Sequence, residues 1–169
     1  MFFGALIVER AIFYPLSDYK SEILSAAERY DMDAALVFAI IKTESGFDKT
    51  AVSDKGATGL MQITEKTADY VASLRGIAEY DLFDAATNID FGCYYYKYLE
   101  NRFGDKNTCL AAYNAGEGNV FLWLKDEHYS LDGKTLDVIP ITETNEYVEK
   151  VNKSLRKYKK LYYNILDKR

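Results

Sequence analysis

Glu44 closes an apolar run, Ala34-Ala35-Leu36-Val37-Phe38-Ala39-Ile40-Ile41, with only Lys42 and Thr43 between, and Ser45-Gly46-Phe47 follows it. A run that is apolar on every side reads as a helix buried in a core, and on helical spacing Glu44 shares a face with Val37, Ile40 and Ile41. Gly46 reads as the helix stop, which puts Glu44 in the last turn. There the negative end of the helix dipole and the apolar surroundings both favour the protonated carboxyl. A carboxylic acid that keeps its proton near neutral pH is what a general acid for glycoside cleavage requires. The ordinary alternative is a solvated glutamate at a helix end, and on these residues alone it is the better reading.

The elements that must position this carboxyl read as helices. Leu16-Ser17-Asp18 opens a first helix reaching about Tyr30, with Ile23, Leu24, Ala27 and Tyr30 on its core stripe. Asp33 can cap the second helix, which ends at Glu44. From Ser53 to Ile63 the glycines Gly56 and Gly59 and the lack of helical period predict a loop or a short β-like segment. Thr64 caps a helix through about Leu74. Asp84 to Arg102 supports a long helix with Ile89, Cys93, Tyr96 and Leu99 at core spacing. Two short helices follow, near Asn107 to Tyr113 and Gly118 to Leu124. A polar loop from Lys125 to Val138 carries an Asp132-Gly133 turn, and the last helix begins near Thr142. Strand signals are weak throughout, so the expected class is all-α with at most a small β element.

At 169 residues and 49% hydrophobic, the chain can bury a core as one domain. Two prolines, ten glycines and no repeat at solenoid spacing argue against long linkers or an array. A net charge of −5 gives no general basic footprint for nucleic acid. The charge is uneven, however. Residues 150–169 hold eight Lys or Arg against one acid, a local +7 that leaves −12 for the remainder. The ordinary reading is the solvated face of a terminal helix that turns Val151, Leu155, Tyr158 and Tyr162 inward. Attraction to an anionic envelope polymer or membrane surface is the alternative.

Residues 1–13 begin apolar and are interrupted by Glu9 and Arg10. The stretch is too short to span a bilayer and lacks the basic start and cleavage site of a signal peptide. It reads as an N-terminal arm on the domain or as the remnant of a membrane anchor, with the domain proper at 14–169. Cys93 and Cys109 are expected to be free thiols. With about 1.5 Å rise per residue on two helices joined near Gly104, they would sit roughly 10 Å out of register. His128, the only histidine, lies in a polar loop without partners for a metal or a triad. The Gly116-Glu117-Gly118 segment lacks the strand and third glycine of a dinucleotide fingerprint. No cofactor or metal is implied. Tyr94-Tyr95-Tyr96 and Tyr98 cannot all face inward at helical spacing; packing is the main reading, with stacking on sugars open to one or two of them.

Beyond Glu44, Gly59-Leu60-Met61-Gln62 follows within twenty residues, Ala112-Tyr113-Asn114-Ala115-Gly116 comes later, and Glu143-Thr144 with Tyr147-Val148 lies near the end. Taken singly, each is weak: a turn glycine, a core methionine, buried phenols among fifteen tyrosines. In this order and at these separations they resemble the catalytic domain of the soluble lytic transglycosylases, relatives of goose-type lysozyme. Asn88-Ile89 with Gly92, the Gly118, Val120 and Trp123 that follow, and Ile139-Pro140 belong to the same match, which runs roughly from Tyr14 to Tyr158.

The resemblance implies a lysozyme-like helical fold with a cleft for a peptidoglycan strand. It implies cleavage of the β-1,4 bond between N-acetylmuramic acid and N-acetylglucosamine without water, leaving a 1,6-anhydromuramoyl end. Glu44 then becomes the catalytic acid and base. Ser45, Met61, Gln62, Tyr113, Asn114 and Tyr147 become substrate-binding residues, with Met61 giving apolar contact, Tyr113 and Asn114 framing the acid, and the Tyr147 hydroxyl near it. Peptidoglycan is the expected partner, nucleic acid is not, a monomer is expected, and action outside the cytoplasmic membrane follows from the substrate. Two alternatives stay open. A hydrolytic muramidase would use a second carboxylate at about 5 to 10 Å, with Asp48 and Asp54 the nearest candidates in sequence, although both read as loop residues. A non-catalytic glycan-binding module would be expected to lose Glu44 or the Tyr113-Asn114 pair, and both are present.

Overall fold

The computed structural model describes residues 14–16 and 18–166, and the apolar 1–13 stretch lies outside them. Among the described residues seven helices account for the regular structure: α1 Lys20–Arg29, α2 Ala34–Glu44, α3 Glu65–Arg75, α4 Ala85–Phe103, α5 Lys106–Ala115, α6 Glu117–Trp123 and α7 Thr142–Leu166. The β content is limited to isolated bridges from Thr58 to Val52 and Ile63. The class is therefore all-α with a small β element, as the weak strand signals predict.

Helix starts follow side-chain chemistry. Asp33 accepts the Ala35 N–H at 2.9 Å and so opens α2. Thr64 takes the Thr67 N–H at 3.2 Å for α3, and Asp105 takes the Thr108 N–H at 2.8 Å for α5. Each satisfies one of the orphan donors of a first turn. Helix α1 begins later than its sequence suggests, at Lys20, with Tyr19 at the cap position and no side-chain cap bond to the first turn.

The chain groups into two compact units, residues 1–93 with 151–169, and residues 94–150. The first is built on α2, whose first eight residues, Ala34 to Ile41, are all buried. A helix with no polar stripe has nowhere to go but the middle of a core. Helix α1 packs on it, and Phe38 meets the Tyr158 ring of α7 at 5.3 Å. Asp90 on α4 ties the periphery: the guanidinium groups of Arg29 and Arg75 each pair with one of its oxygens, and the Tyr30 hydroxyl donates to it at 2.8 Å. In the second unit α5 and α6 pack together, and Ile89, Cys93, Tyr96 and Leu99 of α4, all buried as expected, divide between the two units. The 125–141 connection closes locally: Asp132 accepts the Lys134 and Thr135 N–H groups, and Leu136 N–H donates to the buried Thr108 hydroxyl at 3.1 Å.

Cys93 and Cys109 are free and fully buried. Burial, and then the Asp90 carboxylate, pushes the Cys93 thiol up, while burial followed by Glu100 and Asp105 pushes Cys109 up to about 12. Both are therefore protonated and inert at neutral pH. Intact-mass measurement with iodoacetamide is expected to show two alkylations in denaturant without reductant, and essentially none in the native protein over the same interval. One alkylation or none in denaturant would contradict free thiols.

Candidate active site

In the first unit, Glu44 is the last residue of α2 and is half-buried. The chain turns sharply after it, with Gly46 at φ +61 and Phe47 at φ +73. The Ser45 hydroxyl donates to the Leu60 carbonyl at 2.8 Å, with the Ile41 carbonyl as a longer arm at 3.3 Å, and accepts the Phe47 N–H at 3.2 Å. Its proton is thus committed to backbone. Ser45 acts as a rivet that fixes the end of the Glu44 helix to the Gly59-Leu60-Met61-Gln62 segment.

That segment is held from its other side by α4. Asn88, fully buried, accepts the Met61 N–H at 2.8 Å and donates to the Thr58 and Leu82 carbonyls, each at 2.9 Å. The close fit explains two glycines. A Cβ on Gly59, which sits at φ +79, would lie 2.3 Å from the Asn88 amide nitrogen, and one on Gly92 would lie 2.4 Å from the Met61 sulfur. Met61, expected from the resemblance to offer apolar contact to a sugar, is fully buried instead. Its thioether fills the space over Gly92, so it supports the segment from beneath. Gln62 adopts φ +49, and its amide nitrogen donates to the Gly59 carbonyl at 2.9 Å and the Ala51 carbonyl at 3.1 Å. Two carbonyl neighbours fix the amide's orientation and leave its oxygen as an acceptor with no partner among the described residues.

In the second unit, Tyr113 and Asn114 lie in the last turn of α5, just before Gly116 at φ +88 ends it. The Tyr113 ring is braced by Tyr95 and Tyr96, with centroids at 5.7 and 6.4 Å. Tyr95 in turn stacks on Tyr98 at 6.1 Å, and the Tyr98 hydroxyl donates to Glu117 at 3.2 Å. The tyrosine run of α4 is mostly packing, as expected. Asn114 accepts the Thr144 hydroxyl at 2.8 Å. Thr144 is buried in the first turn of α7, and Tyr147 lies one turn further along the same helix, also buried. With the Asn114 oxygen facing the Thr144 hydroxyl, its amide nitrogen has no partner among the described residues.

The nearest carboxylates in sequence are differently placed. Asp48 is exposed and accepts the Thr50 hydroxyl at 2.7 Å and the Thr50 N–H at 2.8 Å, which together hold its carboxyl below the usual range. Asp54 is exposed in a turn. His128 is exposed and bonds Asp126 at 2.8 Å in its own loop. Asn88 and Thr144 were quoted by the sequence only as parts of a motif; their holding roles depend on partners 27 to 30 residues away. The one local signal was a polar residue set into an otherwise apolar helical stripe.

With this geometry in place, the likeness to known proteins gains content. The transglycosylase SLT domain model matches residues 21–135. The soluble lytic murein transglycosylase of Salmonella typhimurium is 35% identical over 127 residues, 72% of this chain and 20% of that protein. The membrane-bound lytic murein transglycosylase C of Edwardsiella ictaluri is 32% identical over 168 residues, covering 85% of this chain and 47% of its own length. An inactive glutamate-to-glutamine mutant of the lytic transglycosylase Slt from Pseudomonas aeruginosa superposes with a TM-score of 0.77 at 30% identity, over 90% of this chain and 25% of that one. The chain spans a fifth to about half the length of the curated relatives it is compared with here. The fold is the lysozyme-like helical fold of these neighbours. A family model that covers Glu44, the Asn88-held segment and the Tyr113-Asn114 turn alike leaves one assignment: the chain belongs to the transglycosylase SLT domain family.

Proposed function

We propose that the chain is a peptidoglycan lytic transglycosylase that cleaves the β-1,4 bond between N-acetylmuramic acid and N-acetylglucosamine and leaves 1,6-anhydromuramoyl ends. Glu44 gives its proton to the bridging oxygen as the C1–O bond breaks. The positive charge developing at C1 is met by the substrate's own 2-acetamido oxygen, as in substrate-assisted glycosidases. The Glu44 carboxylate then takes the proton of the 6-hydroxyl while that oxygen bonds to C1, which closes the anhydro ring and restores the acid. One carboxyl serves both steps, and no water enters.

The observation that carries this reading is the contrast among carboxyls. Glu44 is half-buried at the end of the buried helix α2, whereas Asp48 and Asp54 are exposed. Asp48 is moreover a weakened base, because Thr50 already stabilises its ionised form. A hydrolase needs a partner carboxylate to direct water, and neither aspartate suits that task. The Gln62 oxygen and the Asn114 amide nitrogen supply an acceptor and a donor for sugar hydroxyls and acetamido groups, with Tyr113 and Tyr147 as further contacts. Such a substrate places the reaction outside the cytoplasmic membrane.

Digestion of purified sacculi followed by mass spectrometry tests the chemistry directly. Anhydro-terminated muropeptides are expected. Reducing ends, heavier by one water, would establish a muramidase, and undigested sacculi that retain the protein would establish a glycan-binding module. The orientation of Asn114 gives a second expectation. Thr144→Val keeps the shape and removes the hydroxyl, so turnover should fall about tenfold for about 1 kcal/mol of stability. Wild-type turnover at a lowered melting temperature would reduce Thr144 to a purely structural residue.

A further inference from the structure

We infer that the exposed face of α7 is a docking surface for the anionic headgroups of a phospholipid bilayer. Lys153, Arg156 and Lys160 are exposed and recur at i, i+3 and i+7, so they line one side of the helix. The neighbouring cations are otherwise engaged: Lys150 pairs with Glu146 at 3.2 Å and Lys159 with Asp33 at 2.7 Å. Lys153, Arg156 and Lys160 have no ion pair or hydrogen bond among the described residues. The opposite side of the helix, Leu155, Tyr158 and Leu161, is buried in the first unit. The stripe therefore cannot turn inward, and its charge is offered to something outside the chain.

The charge balance gives that offer a direction. The remainder of the chain carries −12 against +7 for residues 150–169. An anionic surface is repelled by the net charge of the remainder and attracted at this end, so attraction and orientation come together.

A second observation separates a bilayer from a soluble polyanion. The chain enters the described region along this same helix: the Tyr162 hydroxyl donates to the Tyr14 carbonyl at 2.7 Å and the Tyr158 hydroxyl to the Pro15 carbonyl at 3.1 Å. The Tyr14 ring stands edge-on to Tyr158 at 5.5 Å, with the Lys42 ammonium 4.9 Å above it. Residue 14 is thereby pinned to the buried side of this helix, and the thirteen residues that precede it in sequence include Met1-Phe2-Phe3 and Ala5-Leu6-Ile7-Val8. A phosphate polymer would satisfy the cations alone. A bilayer accepts both a polybasic face and an apolar segment of the same chain, and stable membrane association generally takes two such signals.

The full chain, co-sedimented with vesicles of equimolar phosphatidylglycerol and phosphatidylcholine or of phosphatidylcholine alone, tests the surface. Binding to the anionic vesicles is expected, and the triple variant Lys153→Gln, Arg156→Gln, Lys160→Gln should bind about 100-fold more weakly, at about fivefold for each cation removed. Lys66→Gln, an exposed cation on α3, should bind as the wild type does. Equal affinity of the triple variant and the wild type, equally tight binding to neutral vesicles, or binding to poly(glycerol phosphate) without binding to vesicles would overturn the proposal. Should the triple variant fail to fold, the wild-type protein still decides. Its affinity for the anionic vesicles must fall steeply as salt shortens the Debye length, and an affinity indifferent to salt overturns the proposal.

Discussion

Glu44→Gln is expected to lower turnover of peptidoglycan glycan strands by a factor of about 10³ to 10⁴ while leaving the melting temperature within about 2 °C of the wild type. The amide keeps the size and shape of the carboxyl and can still accept and donate hydrogen bonds, so the end of α2 and its turn should survive. It has no transferable proton at neutral pH and cannot take one from a hydroxyl. Because the proposed mechanism uses the same atoms twice, first as acid and then as base, both half-reactions fail together. The loss should therefore appear in turnover with little change in binding of the strand, measured by co-sedimentation with sacculi. A companion substitution sharpens the outcome: Asp48→Asn, at an exposed carboxylate already engaged by Thr50, should retain near-wild-type rates. If Asp48→Asn fell as far as Glu44→Gln, two carboxyls would be required, and the muramidase mechanism would replace the one proposed.

The physical case rests on α2. Its sequence carries eight apolar residues and an Asp33 cap, and such a helix must run through the core and deliver its last residue to the edge. This much was legible because capping and apolar periodicity act over a few residues. The same holds for Thr64 ahead of α3 and for the Asp132-Gly133 turn. The start of α1 was misjudged for the complementary reason. Leu16-Ser17-Asp18 reads as the opening of the helix, but the helix begins after Tyr19 and takes no side-chain cap at all.

Less legible was whatever depends on distant pairing. Asp90 reads as one more acid on a helix until Arg29 and Arg75, 61 and 15 residues away, both meet it. Met61 carried a substrate-facing expectation because a motif names neighbours without saying which side of the chain they occupy. Alternation about a strained turn sends Gln62 one way and Met61 into the core. Nothing in the local pattern distinguishes those two directions. Asn88 and Gly92, set on α4, decide the matter: Asn88 holds the Met61 N–H, and the bare Gly92 backbone leaves the space that the Met61 side chain fills.

The largest effect on stability should follow from Asn88. Asn88→Ala removes one acceptor and two donated bonds at a fully buried position; it strands the Met61 N–H and the Leu82 carbonyl, while the Thr58 carbonyl keeps the Ile63 N–H at 3.0 Å. At about 1 to 3 kcal/mol for each of these two groups, reduced where water enters the vacated space, the expected loss is about 2 to 4 kcal/mol. Against a total stability of about 5 to 15 kcal/mol for a domain, that is a large fraction of what holds the fold. Asn88→Asp makes the electrostatics visible. The carboxylate still accepts from Met61 but turns its second oxygen toward two carbonyls that the amide had bonded. Folding then favours the protonated acid, raising its pKa above the unfolded value of about 3.9. By linkage, a raised folded pKa confers stability that is fully present below the unfolded pKa and is lost as pH rises through the folded pKa. Urea unfolding should accordingly show the Asn88→Asp variant losing stability relative to the wild type from about pH 4 toward neutrality, whereas the deficit of Asn88→Ala should stay constant across that range. A deficit for Asn88→Asp that is flat with pH would mean that its side chain has left the carbonyls for solvent, and that the Gly59-Leu60-Met61-Gln62 segment is held by Ser45 and packing alone.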